Sequence, residues 1–339
     1  MADDPIVSSA LFFPPGTKLV ALPSWEKPRL LLERRSAPEL WRVSSFYPAF
    51  RPAARAFKTA LRLKTALRFG EVREVPSDNW ALGAFVEPVL PGVTSVALLI
   101  GTPGPAQKLT AQLWRGETVV GYLKYGATPA ACARLDREYR VLSSLPPDTG
   151  PKPLKHGAFG KGAALVTEAV PGQALPARLP VSADARAFLK RLEREERRSL
   201  AIHPAVVRLL ERDRATVAPW LQGLDRDYPL AYQHGDFAPW NLLRDSAGKV
   251  RAIDWEYGDA EGLPYLDLAY YCLQVGTLLQ RWSPQRAKNY AVEQLSEELP
   301  PPEAEAFVKL AAFHAYVQAL DDGHAESVPL QAWRREVWS

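Results

Sequence analysis

From Tyr232 to Asp254 the chain reads Tyr-Gln-His-Gly-Asp-Phe-Ala-Pro-Trp-Asn, then Leu-Leu, a turn at Asp245 to Gly248, and Val-Arg-Ala-Ile-Asp. No other stretch constrains the fold as strongly. A loop and a hairpin must bring three oxygen-bearing side chains together: Asp236, Asn241 five positions later, and Asp254 thirteen positions after that. Singly, each has an ordinary structural explanation. Asp236 could cap a helix, Asn241 could hold a turn, and Asp254 could end a strand at a surface loop. Jointly, in this order and spacing, they suit phosphoryl transfer from a nucleotide. One carboxylate, Asp236, accepts the proton of an attacking hydroxyl, while the Asn241 amide and Asp254 hold Mg²⁺ on the phosphates. Oxygen ligands suit Mg²⁺, which takes few protein groups and keeps water and phosphate oxygens as the rest.

The Asp-x4-Asn spacing with a later Asp is that of the protein-kinase catalytic loop, here opening His-Gly-Asp in place of His-Arg-Asp. With Ile253-Asp254-Trp255-Glu256 and a tail of Gly262, Pro264 and Asp267-Leu-Ala, the run from His234 to Ala269 resembles the aminoglycoside phosphotransferase and choline kinase superfamily of small-molecule kinases. The resemblance implies an α+β, bilobal protein-kinase-like fold, with a β-rich N-lobe and a mostly helical C-lobe. It also implies ATP and Mg²⁺ as cofactors and a small-molecule hydroxyl acceptor such as a sugar, amino sugar or amino alcohol. His234 is expected to support the loop backbone, and Asp267 to tie loops together without touching substrate. Trp240 and Trp255 flank the proposed site and are read as packing residues.

A kinase-like N-lobe also needs a lysine on its third strand and a carboxylate on the following helix, the lysine steadying phosphates and the carboxylate positioning the lysine. Strands are expected at Val93 to Ile100, Lys108 to Trp114 and Thr118 to Tyr125, with a turn at Gly101 to Gly104. A helix from Thr128-Pro129 to about Ser144 follows, threonine as N-cap and proline at the first helical position. Two further strands lie near Leu154 to Ala158 and Ala164 to Glu168. Period two places Val120, Tyr122 and Lys124 on one strand face. Glu138 falls by angle within the apolar helical stripe of Leu135, Tyr139 and Leu142, and a carboxylate facing a core is costly unless paired. Lys124 is its natural partner; Asp136 points to the opposite face. The turn Gly101-Thr-Pro-Gly-Pro-Ala-Gln-Lys108 lies where kinases cover the phosphates. It does not spell Gly-x-Gly-x-x-Gly, so it is either a plain hairpin turn or a phosphate cover to which Lys108 brings the charge. Glu168-Ala-Val170 resembles the segment joining the lobes, whose backbone would meet adenine.

Three segments are therefore expected: an additional N-terminal α+β extension over 1–88, the N-lobe over 89–170, and the C-lobe with the catalytic loop over 171–339. The usual aminoglycoside and choline enzymes have no counterpart of the extension. In it, Pro52 to Phe69 reads as a helix, and Arg51, Arg55, Lys58 and Arg62 form a basic stripe, with Lys64 and Arg68 adding charge elsewhere. Such a helix can rest on an anionic lipid surface; the preferred explanation is a solvated face packed on its own domain. A non-catalytic nucleotide-binding module is the other rival, whose mark would be loss of Asp236, Asn241, Asp254 or Lys124. All four are present.

Composition sets the background. Of 339 residues, 47% are hydrophobic and 24% charged, as in ordinary globular proteins, and a net charge of +4 is too small to argue for nucleic acid. The two cysteines, Cys132 and Cys272, fit no zinc-ligand cluster and suit a reducing compartment. The acidic start Met-Ala-Asp-Asp lacks the features of a signal peptide, and no apolar run approaches the ~18 residues of a membrane span, so a cytoplasmic location is expected. The region from Glu261 onward carries eleven acidic and six basic residues, with Asp321-Asp322-Gly-His324 read as a helix C-terminal turn that could line an acceptor site.

Overall fold

Runs such as Leu-Val-Ala-Leu and Leu-Leu-Leu have no polar alternation and can form strands only where both sheet faces are covered. The computed structural model describes residues 10–34, 36, 39, 43, 52–66, 71–75 and 79–339 and shows that arrangement. The chain divides into two units. One runs up to Tyr139 and takes in Lys152–Ala169; the other joins Arg140–Pro151 to Val170–Ser339.

In chain order the first unit contains Lys18–Leu22 (β1), Leu30–Glu33 (β2), Pro52–Ala66 (α1), Val72–Glu74 (β3), Ala81–Val86 (α2), Ser95–Ile100 (β4), Lys108–Arg115 (β5) and Thr118–Gly126 (β6). Pro129–Ser144 (α3), Pro153–Phe159 (β7) and Gly162–Glu168 (β8) follow, the last turns of α3 belonging to the second unit. The strands form one antiparallel sheet in the order β3-β1-β2-β4-β5-β6-β8-β7. Period two sorts its apolar residues onto two faces. Leu19, Leu31, Val96, Leu98 and Leu123 pack with Phe12, Phe13, Leu82 and Phe159 on one side. Val20, Leu22, Leu30, Leu32 and Ala97 pack with Leu61 of α1 and Trp114 on the other. Strands from residues 1–88 thus join the sheet that carries Lys124, through β2 paired to β4 with Leu31 opposite Leu98. On α1, Arg55 is exposed, Lys58 and Arg62 are half-buried, and burial together with the Arg62 charge lowers the Lys58 pKa. Arg51, Arg68 and the side chain of Lys64 lie outside the described residues.

The second unit holds Gln173–Ala174 (β9), Ala183–Arg191 (α4), Glu193–Ser199 (β10), Pro204–Arg212 (α5), Asp227–Gln233 (β11), Leu242–Arg244 (β12), Val250–Ala252 (β13) and Asp259–Gly262 (β14). Four helices follow: Leu266–Leu278 (α6), Pro284–Leu295 (α7), Pro301–Asp321 (α8) and Pro329–Trp338 (α9). Its strands make two small sheets, β10-β11-β14 and β13-β12-β9. Helices α6 and α8 are buried nearly all round and pack on each other, which is why neither shows a narrow apolar stripe in sequence. Among the described residues, no helix is long and apolar enough to cross a membrane. The observed architecture is the α+β, two-lobed kinase-like one expected, with a sheet-based first unit and a largely helical second.

Candidate active site

Strand β11 ends at Gln233, and the loop after it is held by backbone geometry as much as by side chains. Gly235 has φ +77°, and a Cβ there would lie 2.5 Å from the Tyr257 carbonyl oxygen, so the middle residue of His-Gly-Asp must be glycine. Asp267, in the first turn of α6, accepts the backbone N–H of His234 at 2.6 Å and of Gly235 at 2.9 Å. Burial pushes its pKa up to about 7, against those two donors. His234 is fully buried; its Nδ1 accepts the Asp236 N–H at 3.2 Å and its Nε2 lies 2.9 Å from the Ile253 carbonyl, an arrangement that requires the proton on Nε2. Both residues therefore hold the loop, as expected of them.

Asp236 sits at the centre of a small network. Tyr270 donates to its Oδ1 at 2.7 Å, and Asn241 Nδ2 donates at 2.9 Å both to its Oδ2 and to its backbone oxygen. Burial raises the Asp236 pKa to about 7, the neighbouring Asp254 and Glu256 charges adding to it and the two side-chain hydrogen bonds opposing it. The β12–β13 hairpin pairs Leu242 with Ala252, and Ile253 N–H donates to the Asn241 carbonyl at 2.8 Å, so Asn241 and Asp254 are brought together by one short ladder. Its turn is closed by Asp245, whose Oδ1 accepts the N–H groups of Ala247 and Lys249 at 2.9 Å. Asp254 has φ +68°, a left-handed conformation that a non-glycine residue adopts only where its surroundings impose it. Trp255 is fully buried and donates its indole N–H to Ala252 O at 2.8 Å, a packing role; Trp240 is half-buried.

The donor set suits Mg²⁺. Both hydrogens of Asn241 Nδ2 are spent on Asp236, which leaves the side-chain oxygen as its atom for a cation, and Asp254 adds a second hard oxygen group.

In the first unit, Lys124 and Glu138 form the expected pair. Lys124 Nζ is 2.6 Å from Glu138 Oε1, and the Glu138 side chain is 1% exposed. Glu138 Oε2 accepts no hydrogen bond among the described residues, so the lysine is the carboxylate's anchor. Asp136, on the other face of α3, pairs with His156 at 3.0 Å. Thr128 Oγ1 caps α3 by accepting the Ala131 N–H at 3.1 Å and also donates to Pro105 O, tying the helix start to the Gly101–Lys108 turn. That turn is a closed hairpin: Gly101 N–H meets Lys108 O at 2.9 Å, and Gln107 reaches Gly101 O at 3.1 Å. Lys108 opens β5 at its base. Glu168 ends β8, donates its backbone N–H to Lys152 O at 3.0 Å and accepts the Lys152 N–H on its side-chain Oε1 at 3.2 Å, and the chain passes from the first unit to the second between Ala169 and Val170.

Sequence reasoning missed Tyr270, Tyr257 and Arg334. With Asp236 they line a cavity of about 210 Å³ in the second unit, together with Asp322 and His324. Tyr257 donates its hydroxyl to Asp322. The Asp321-Asp322-Gly323-His324 cluster is both a helix end, Gly323 N–H closing on Leu320 O at 2.8 Å, and part of this wall; Asp321 itself pairs with Arg212. A signal for Tyr270 existed: it lies three residues after Asp267 and therefore on the same face of α6. Arg334, nearly a hundred residues downstream, had none.

The comparisons fit this geometry. The model of the APH family of phosphotransferase enzymes matches residues 123–306, more than half of the chain. No curated protein sequence matches. Among solved structures, a thermostable mutant of aminoglycoside phosphotransferase APH(4)-Ia, in ternary complex with ADP and hygromycin B, is 16% identical. It covers 76% of this chain and 96% of its own with a TM-score of 0.51, which shows a common fold. Macrolide 2'-phosphotransferase type I (16% identity, TM-score 0.46) and choline kinase LicA from Streptococcus pneumoniae (16% identity, TM-score 0.41) each cover 76% of this chain and 95% of their own. The family match begins beside Lys124 and contains the whole run from His234 to Ala269, and the chain belongs to the phosphotransferase enzyme family.

Proposed function

We propose that this phosphotransferase moves the γ-phosphoryl group of ATP to a hydroxyl of a small molecule. The observation that carries the reading is the placement of Asp236: fixed by Tyr270 and Asn241, it faces a cavity of about 210 Å³, room for part of a small-molecule ligand. An acceptor hydroxyl in that cavity would form its new O–P bond as the bond from the γ-phosphorus to the β–γ bridging oxygen breaks and ADP departs. Its proton would pass to the Asp236 carboxylate, each of whose oxygens already accepts one hydrogen bond and keeps a second lone pair. Asn241 and Asp254 would hold Mg²⁺, which neutralises charge on the phosphates. Lys124, set by Glu138, would bind phosphate oxygens; Lys108 would add charge at the hairpin; the backbone from Glu168 to Val170 would meet adenine. Phosphoryl transfer asks little covalent chemistry of a protein, so positioning and electrostatics would supply most of the rate.

Incubation with Mg·ATP and a panel of hydroxylated metabolites tests this. Asp236→Ala is expected to lower turnover by about 10²–10⁴-fold, the usual worth of a general base, while Mg·ATP still raises the melting temperature of the variant. Turnover that survives the substitution would remove Asp236 from its assigned role.

A further inference from the structure

We propose that the acceptor is a small hydroxylated molecule bearing an anionic group, seated on Arg334, and not a polycation; this rests on the kinase reading above. Arg334 lies on α9 and lines the cavity that holds Asp236. It is built in, not draped over a surface. Its Nη1 donates to Gln331 Oε1 at 2.7 Å, and Gln331, only 1% exposed, is itself anchored by donating to Tyr316 O at 3.1 Å. A guanidinium has five N–H donors, and Gln331 takes one. Among the described residues no carboxylate pairs with Arg334, although ion pairs are frequent elsewhere on this unit, as at Arg208–Asp259, Arg212–Asp321 and Arg226–Glu303. The charge acting on Arg334 is that of Asp236, which makes no direct ion pair with it; a partly buried cation left without a paired anion is costly, and the planar fork matches a carboxylate or a phosphate with two parallel hydrogen bonds.

The acidic groups of the same cavity are already engaged. Asp236 is bound by Tyr270 and Asn241, and Asp322 accepts the Tyr257 hydroxyl. They do not form the concentrated acidic wall that a polycationic acceptor would require. An adjoining recess of about 10 Å³, room for one water at most, shares Tyr270 and Arg334 and is otherwise walled by groups such as Leu273 and Trp333. Gln274, 6% exposed, lines it, and its Oε1 accepts no hydrogen bond among the described residues. A buried acceptor in that state calls for a donor, and a recess of that size admits only one of water size, so the recess is no subsite for the acceptor molecule. The acceptor molecule thus presents its reacting hydroxyl to Asp236 and its anionic group to Arg334.

The test offers the wild-type enzyme Mg·ATP with three sets of hydroxylated compounds, carboxylates, phosphate esters and cationic amino sugars or amino alcohols, and detects products by their added phosphate in mass spectrometry. Turnover of an anionic set is expected, and which of the two anionic sets reacts identifies the source of the charge. For the best acceptor, Arg334→Gln should raise the acceptor KM at least tenfold with the ATP KM within twofold, and Arg334→Lys should recover part of the loss. Turnover confined to cationic or neutral acceptors overturns this inference and leaves the kinase reading intact, whether or not the variants fold. An unchanged acceptor KM in a folded Arg334→Gln also overturns it. No turnover of any set, or of a whole metabolite extract, overturns the kinase reading and this inference together.

Discussion

Tyr270 contributes a single hydrogen bond to Asp236, and its removal can be measured separately from the loop that carries the aspartate. Tyr270→Phe keeps the ring and loses the 2.7 Å donor. Hydrogen bonds to charged groups are worth about 1.5–3 kcal/mol, so kcat should fall by about tenfold or more with the KM for ATP little changed. An unaltered kcat would mean that Asn241 alone fixes the carboxylate. His203 is a different kind of residue: fully buried, 3.4 Å from the Pro229 carbonyl, and remote in role from the chemistry. Burial is the main cause of its lowered pKa, with the Pro229 carbonyl opposing. The unfolded chain therefore takes up a proton near pH 6.5 that the folded chain refuses, so stability falls as pH drops below about 6.5. Thermal melts from pH 7.5 to 5 should show this decline, and His203→Gln should flatten it; parallel curves for the two proteins would refute the assignment.

At the scale of elements, the active-site loop is a product of α6 and the β12–β13 hairpin. On helix α6, Asp267, Tyr270, Gln274 and Thr277 are spaced three, four and three apart and share one face. That stripe clamps the loop backbone, orients Asp236 and lines the adjoining recess. The β6–α3 pairing of Lys124 with Glu138 is the equivalent device in the first unit. Lys124→Met should cost about 3–5 kcal/mol of stability, because it strands a buried carboxylate. Lys124→Met with Glu138→Leu should regain most of that in denaturant melts while remaining without turnover. A single variant as stable as wild type would show that the pair carries no structural weight.

For the whole molecule, the first 88 residues are the main departure from what the motifs alone suggest. Their strand β2 pairs with β4, and Phe12, Phe13, Leu19 and Leu31 share a core with Leu98 and Leu123. Deleting them would expose one edge of β4 and apolar residues on both sheet faces. The protein beginning at residue 89 is expected to be insoluble or to lack a cooperative melt; a soluble, cooperatively folding fragment by circular dichroism and gel filtration would show the extension to be dispensable. Local signals accounted for much of the rest. Strand periodicity, the Thr128-Pro129 helix start, the Asp245–Gly248 turn and the spacing of Asp236, Asn241 and Asp254 are short-range features, each imposed by neighbours within a few residues or one hairpin. The buried charge of Glu138 could also be paired from sequence, since a carboxylate inside an apolar stripe demands a cation. Tyr257, Arg334, Gln274 and the joining of β2 to β4 could not. Each depends on elements far apart in the chain meeting in space, and no local pattern encodes which strand edge or helix face a distant segment will cover. The sequence alone determined the phosphotransferase family and the spacing of Asp236, Asn241 and Asp254; only the tertiary structure decided which side chains line the cavity beside Asp236, because they come from segments far apart in the chain.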